Sequence, residues 1–593
     1  MNEYRHPYPD MQFVINELIG FDSLCQTLGL EDVNTELANA ILDEAGRLGT
    51  EVLSPLNRVG DQQAPTLNGQ GVQQTPGFTE AYQQYVEGGW GSLTAPEAFG
   101  GQALPNLLGT AVMEIWQSAN MALALCPLLG QGAIEAIIHH GSEELQQQFL
   151  PKMVTGEWTG TMNLTEPGAG SDLAAIKTRA VREGAHYRIS GQKIFITWGD
   201  HQMTENIVHL VLARLPDAPA GVKGISLFIV PKFLLDDQGN PAQRNDARAL
   251  SLEHKLGIHG SPTCAMSFGD EGGAIGYLIG EENRGLTYMF TMMNHARQGV
   301  GLQGLAISER AYQHARDYAK ARLQGTQKDG SQIAIIKHPD VRRMLMQMRA
   351  SIEAMRALAY LGSSEIDQAQ RSQDPEQARA HQSRAELLTP IVKGWITELA
   401  QEVTSLGLQI HGGMGYIEET GAAQFYRDAR ILPIYEGTTG IQAQDLVGRK
   451  NLVNGGQSMA KLLEEMDATW AAVDAEGTRL APVAQALRSA LNDGHRAQQW
   501  LLATAPVDPQ AAASQSVNFM LLFGYLMGGW LMARSALRAL ELQDSAEGDQ
   551  AFLNAKLITV RFYCEQLLPR TSACVAAVVS GSAATLALPE EQF

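Results

Sequence analysis

The sequence predicts an α+β protein, mainly α, with a helical N-terminal domain, a central β domain, a four-helix bundle and an additional helical C-terminal domain. Three observations predict it. Apolar residues recur at helical spacing over long segments before residue 158 and after residue 275. β-Branched and aromatic runs split by turns are concentrated between those positions. The chain has 593 residues, too many for one core at a prior of about 150 residues per domain.

Residues 1–157 read as helical: Val33–Leu53 has helical spacing and Leu107–His140 is rich in Ala, Leu and Met. The Gly-, Pro- and Gln-rich piece Asp61–Phe78 between them reads as a surface loop. Residues 158–275 form the β domain, with strand-like runs at Tyr187–Thr197, Ile207–Ala213 and Ile225–Val230. Residues 276–450 return to long helices, Gly299–Arg322 and His338–Ser364 among them, with Arg371–Gln377 as an interhelical loop. Asn454-Gly-Gly-Gln457 marks a boundary, and residues 451–593 form a further Ala/Leu-rich helical extension. This order of layers is unspecific by itself, because many folds mix them.

Composition narrows the function. Hydrophobic content of 45% with 18% charged residues is that of a folded globular chain. A formal net charge of −20 repels phosphate backbones and argues against nucleic acid as a partner, so an acidic substrate would need a local basic pocket. Five scattered cysteines without metal-ligand spacing fit free thiols in a reducing compartment, and no metal site is expected. The N-terminus has no basic region leading into an apolar run, so no secretory signal is read there. The longest apolar run, Phe519–Ala533, falls short of the roughly 20 residues that span a bilayer and reads as a buried core helix rather than membrane contact. A cytoplasmic location is the expectation.

Two stretches carry chemistry. Arg430–Gln442 sets one carboxylate, Glu436, after the aromatic Tyr435 and before the flexible Gly437-Thr438 step. A proton-abstracting base needs such a carboxylate, with backbone free to approach a substrate carbonyl; the plainer reading is a solvated helix end. Met162–Asp172 opens the β domain. There Gly168 and Gly170 let backbone approach a ligand, while Thr165 and Ser171 can hydrogen-bond it. It is not a Gly-x-Gly-x-x-Gly after a strand, so a dinucleotide Rossmann reading fails on spacing. Farther on, Phe195 and Thr197 stand two apart on one strand, sharing a face that suits a flat ring and its polar edge.

Together, Thr165–Asp172, Gly191–Thr197, Gln409–Gly415 and Tyr435–Thr438 resemble the four signature blocks of the FAD-dependent acyl-CoA dehydrogenases, in the family's order and approximate spacing. Gly199–Arg214 and the C-terminal extension resemble a bacterial branch of that family. The branch includes long-chain acyl-CoA dehydrogenases and 3-methylmercaptopropionyl-CoA dehydrogenases.

The resemblance implies Glu436 as the base that removes the α proton of an acyl thioester, with the β hydrogen leaving as hydride to FAD. It implies that Thr165 and Thr197 bond the flavin edge, that Phe195 packs beside the ring, and that Ser171 lies near both cofactor and CoA. Arg322 and Gln324 would bind FAD across a subunit interface, with Gln409 and Gly413 near its pyrophosphate and adenosine and Thr438 also at the cofactor, so a homodimer is expected. Tyr435, Gly437 and Arg297 would face the substrate; the lesser reading of Arg297 is an arginine paired with a core carboxylate. Ala296 occupies the place where some branches carry the base, which leaves Glu436 unopposed. Asn294, where relatives often carry Asp, and the bulky Trp198 depart from the common pattern and put details of CoA contact in doubt.

Ser118–Cys126 has two open readings: room for an acyl tail, or small residues for close helix packing. The C-terminal extension reads first as a helical domain packed on the body or the dimer partner, with Phe519–Ala533 as its core helix, and second as a mobile partner- or membrane-contacting element. The implied reaction is oxidation of a medium- to long-chain acyl-CoA to a trans-2-enoyl-CoA in fatty acid β-oxidation, with an electron-transfer flavoprotein as acceptor. The alternatives are 3-methylmercaptopropionyl-CoA oxidation, an acyl-CoA oxidase, or a non-catalytic relative.

Overall fold

The computed structural model describes residues 4–593. It has the expected layers: N-terminal helices, a β domain, long helices and a helical extension. The chain packs into two compact units. Unit 1 holds residues through Gly46, Pro105–Ser118 and Val300–Phe593; unit 2 holds Arg47–Leu104 and Ala119–Gly299.

The last two helices before the β domain are α1 (Asn106–His140) and α2 (Glu143–Thr155). α1 is broken at Asn120, which leaves helical geometry (φ −157°, ψ 89°). The Asn120 side chain then accepts a hydrogen bond from the Leu123 N–H at 3.1 Å, so it caps a second helix inside what reads as one. α2 starts at a Ser142 cap with Glu143 and Glu144 in its first turn and stops at Gly156 (φ +85°).

Unit 2 is organised by an eight-stranded sheet: β1 (Trp158–Asn163), β2 (Arg179–Glu183), β3 (His186–Thr197), β4 (Asn206–Arg214), β5 (Ile225–Pro231), β6 (Ala247–Leu252), β7 (Thr263–Phe268) and β8 (Ala274–Leu278). The order is β6-β7-β3-β8-β5-β4-β1, with β2 beside β3 and β4. β1 runs parallel to β4, and the other neighbours along that order are antiparallel. β4 and β5 are buried along almost their whole length, which is why they appear as continuous apolar runs. Ala133, Ile134 and Ile137 of α1 and Phe149 and Leu150 of α2 pack with Trp158, Leu210 and Leu227 of the sheet. The expected loop Asp61–Phe78 contains a small hairpin, Thr66–Asn68 with Gly71–Gln73, whose three-residue strands are too short to show alternation.

In unit 1, α3 (Gly285–Ala321, from Val300 onward), α4 (Pro339–Arg371) and α5 (Pro375–Ile410) form the long-helix layer. A Cβ at Gly301 or Gly304 would lie 2.8 or 3.1 Å from the carbonyl oxygens of Val392 and Ile396, so α3 meets α5 at backbone distance. The α4–α5 loop is only three residues, because Asp374 caps α5 and Pro375 opens it. After the short α6 (Thr439–Gln444) come α7 (Ser516–Asp544) and α8 (Gln550–Gln566) of the extension. α7 contains Phe519–Ala533 and is a buried core helix, as expected, and the other long apolar helix, α1, is also mostly buried. The extension is therefore packed on the body.

A buried charge network ties it there. Arg356 pairs with Glu114 at 2.7 Å, with Glu309 at 2.9 Å and with Asp10, and Lys556 of α8 pairs with Asp10 and, at 2.6 Å, with Glu353. All five cysteines are free, four of them buried.

Candidate active site

In unit 2 the loop Thr165–Asp172 is pinned to β3. The Ile194 N–H donates to the Thr165 carbonyl at 2.9 Å. Beneath it, Lys193 donates from Nζ to Glu166 at 2.7 Å and to the Leu164 carbonyl at 3.0 Å. Glu166 also accepts from Lys177 N–H, Thr178 N–H and the Thr178 hydroxyl. Burial lowers the Lys193 ammonium to about 8. At Glu166 burial alone would raise the carboxyl, but the Lys193 charge and these hydrogen bonds outweigh it and pull it down.

The pinning produces a β-bulge. Across β3 and β7, Cys264 pairs with Ile196 and Met266 with Lys193, so Ile194 and Phe195 oppose the single Ala265. Phe195 takes up the extra residue in the left-handed region (φ +59°) and stands 59% exposed, whereas Lys193 is buried. Phe195 and Thr197 thus share the more exposed face, and Thr165 adjoins it through the Ile194 hydrogen bond. Ser171 lies exposed at the far end of the loop, and a Cβ at Gly168 or Gly170 would meet open space. An exposed aromatic ring on a mostly half-buried strand, beside two threonines and an open glycine loop, fits a flat ring system with polar edges.

Trp198 is fully buried: its Nε1 donates to the Ala122 carbonyl at 3.1 Å and its ring stacks on Phe78. Its bulk is used in packing against α1. Arg297 is buried on α3, with Nη1 reaching Asn294 Oδ1 at 3.5 Å. Ala296 is buried and carries no base.

In unit 1, Glu436 is one of the few non-glycine residues in the left-handed region (φ +55°), followed by Gly437 (φ +90°). The turn has fixed anchors. Lys393 of α5 donates from Nζ to the Gly437 carbonyl at 2.6 Å. Gln442 of α6 donates from Nε2 to the carbonyls of Glu436 (3.1 Å) and Gly437 (3.4 Å). Thr438 caps α6 by accepting from the Ile441 N–H, Thr439 donates to Glu398, and Tyr435 donates to Gln303. Burial, then the Glu436 charge, raises the Tyr435 phenol.

Sequence reading found the turn but missed Lys393, Gln442 and Gln303. The available signal was a lone lysine in the apolar run Leu387–Ile396. Arg322 and Gln324, at the exposed hairpin β9 (Leu323–Thr326) and β10 (Gln332–Ala334), and Gln409 and Gly413, around the end of α5, lie exposed on two separate segments of unit 1.

This fold, with an exposed ring platform on a β domain and a strained carboxylate turn on a helical layer, is that of a flavin-dependent acyl-CoA dehydrogenase. The N-terminal, middle and C-terminal domain profiles of acyl-CoA dehydrogenases match residues 56–157, 161–270 and 283–450, and a profile described as acetyl-CoA dehydrogenase C-terminal like matches 462–589. The chain belongs to the acyl-CoA dehydrogenase family, FAD-dependent oxidoreductases acting on CH–CH groups.

A 3-methylmercaptopropionyl-CoA dehydrogenase of Ruegeria pomeroyi is 49% identical over 96% of this chain and 97% of its own. A broad-specificity linear acyl-CoA dehydrogenase, FadE5, of Mycobacterium tuberculosis is 34% identical over 96% of both chains. Among solved structures, Caenorhabditis elegans ACDH-11 in complex with C11-CoA shares the fold with a TM-score of 0.78 at 21% identity, covering 96% of this chain and 93% of that one. An acyl-CoA dehydrogenase complexed with FAD from Bacillus anthracis does so at 0.75 and 21%, covering 95% and 90%.

Proposed function

We propose that this dehydrogenase oxidises a short acyl-CoA thioester, with 3-methylmercaptopropionyl-CoA as the leading substrate, to the trans-2-enoyl thioester. The observation that carries this is the 49% identity to the Ruegeria pomeroyi enzyme across nearly the whole of both chains, extension included. The packing of Ser118–Cys126 supports it. Ala119, Ala122 and Ala124 are buried, and Trp198 closes on Ala122, which favours the helix-packing reading of these small residues over room for a long tail. The medium- to long-chain preference expected from sequence thereby becomes the second reading, kept by the resemblance to the linear acyl-CoA enzyme FadE5.

In this reading Glu436 removes the α proton. An α proton beside a thioester is weakly acidic, so its removal needs a carboxylate held in place and a hydrogen-bond donor on the carbonyl where negative charge develops. The left-handed Glu436–Gly437 step supports that geometry, because its two carbonyls are turned to Lys393 and Gln442. The backbone N–H of Glu436 serves as the donor. Thr165 and Thr197 bond the cofactor edge and Phe195 lies against its ring. When bound, FAD supplies the acceptor for the β hydride. The exposure of Arg322, Gln324, Gln409 and Gly413 supports a homodimer in which these segments meet a neighbour's cofactor. An electron-transfer flavoprotein is the proposed electron acceptor and the cytoplasm the proposed location.

The test is anaerobic flavin bleaching of the purified holoprotein with 3-methylmercaptopropionyl-, butyryl- and palmitoyl-CoA. The methylthio substrate should give the highest kcat/KM; a tenfold preference for palmitoyl-CoA would overturn the assignment. Glu436→Gln should retain FAD and slow bleaching by about 10³-fold. Rapid peroxide formation on turnover in air would instead mark an oxidase.

A further inference from the structure

Lys393 is completely buried, in the apolar interior of α5. A buried ammonium persists only where it is hydrogen-bonded, and here it grips the carbonyl one residue beyond Glu436. Gln442 grips the same carbonyl and the one before it. The two side chains hold both peptide oxygens of a left-handed step that a glutamate disfavours when unsupported. Where those oxygens are fixed, the direction of the Glu436 side chain is fixed with them.

The residues after Lys393 face the C-terminal extension. A Cβ at Gly394 would overlap Met520 of α7 and lie 3.4 Å from Cβ of Gln442. Trp395 is fully buried, and a Cβ at Gly524 of α7 would overlap its indole and its own Cβ. Three consecutive residues of α5 therefore do two jobs. Lys393 holds the turn, while Gly394 and Trp395 seat α7 at near-backbone contact, with Met520 and Gln442 both beside the Gly394 site.

We infer that Lys393 is a positioning residue for the base, and that α7 of the extension sets where Lys393 stands. The extension is then part of the catalytic scaffold, acting through the Gly394–Met520 seam rather than by touching substrate. This rests on the reading of Glu436 as the base.

The experiment compares holoenzyme variants by stopped-flow anaerobic bleaching with 3-methylmercaptopropionyl-CoA, separating limiting rate from half-saturating concentration, with FAD content and melting temperature measured alongside. Misplacing a reacting group by about 1 Å costs on the order of 10²-fold in rate. Lys393→Met should lose about that much limiting rate with half-saturation little changed and FAD retained. Gly394→Ala should slow the limiting rate in the same way with FAD content kept and the melting temperature well above the assay temperature, and adding Met520→Ala should restore it. If Gly394→Ala loses FAD, Met520→Ala alone opens the same seam and should lower the same rate.

A normal limiting rate in Lys393→Met overturns the positioning role. Equal rates in wild type, Gly394→Ala and Met520→Ala overturn the part played by the extension. Glu436→Gln separates the two levels: normal bleaching there would sink the base assignment itself, whereas slow bleaching there beside normal Lys393→Met sinks only this inference.

Discussion

Acid should weaken the β domain through two buried histidines. His201 is enclosed between β3 and β4: its Nδ1 accepts from the Met203 N–H at 3.2 Å, so its Nε2 carries the proton and donates to Thr159 at 2.9 Å. His209 on β4 bonds the Thr161 hydroxyl through Nδ1 at 2.7 Å. Burial, then the Lys232 charge, lowers both imidazoles from 6.5 to about 3. The folded chain keeps them neutral while the unfolded chain protonates them, so stability falls as pH drops through the window from 6.5 to about 3. At pH 5 an unfolded histidine has taken up its proton almost completely, which disfavours folding by about 2 kcal/mol for each group and about 4 kcal/mol for the pair. That is a large share of a typical 5–15 kcal/mol. The assay is urea unfolding of the holoprotein at pH 7, 6 and 5, read by tryptophan fluorescence and flavin release. His201→Asn/His209→Asn should flatten the pH dependence. Imidazole NMR titrations in the folded protein with midpoints near 6, or a loss below 1 kcal/mol at pH 5, would refute the reasoning.

Three further outcomes are expected. An alkaline limb should come from His259, which its hydrogen bond to Asp61 raises to about 9; its stabilisation is complete below 6.5 and lost as pH rises through 9, and Asp61→Asn should abolish that limb in thermal melts. Arg356→Met should lower stability by about 3–5 kcal/mol in denaturant titrations, because it leaves Asp10, Glu114 and Glu309 without a shared buried partner. Phe195→Ala should weaken FAD binding about fivefold by fluorescence titration, from loss of roughly 1 kcal/mol of ring contact.

Much of the architecture could be read in advance because it arises from local patterning. β4 and β5 are buried on both faces and announce themselves as apolar runs, and the long helices carry their own period. The Glu436 turn is legible for the same reason, since Gly437 tolerates positive φ and Thr438 caps the helix α6 behind it. The bulge at Phe195 is different. A non-glycine residue in the left-handed region leaves no compositional mark, and strict alternation would put Lys193 and Phe195 on one face. The Lys393 anchor of the Glu436 turn was hidden by distance: it lies 44 residues from Gly437, and no periodicity links them. The Arg356 and Lys556 network joins residues 346 and 546 apart, and a single arginine or lysine in a helix looks like ordinary surface until its burial is seen. Trp198 read only as a departure that put CoA contact in doubt, because its packing against Ala122 and Phe78, 76 and 120 residues away, leaves no mark in the sequence.

The pairing of Lys556 with Asp10 also sets the order in which the protein can be made. Asp10 leaves the ribosome first and meets Arg356 after 346 further residues, but its second cation, Lys556, emerges only after 546, roughly 30–110 s later at 5–20 residues per second. Through that interval the nascent chain holds an acidic group destined for a dry interior, and α4 displays the surface that α8 will cover. Unit 1 cannot finish while synthesis is under way. Chains stalled or truncated before α8 should therefore be marked out for chaperones and proteases, even though every residue of the Glu436 turn has already been translated.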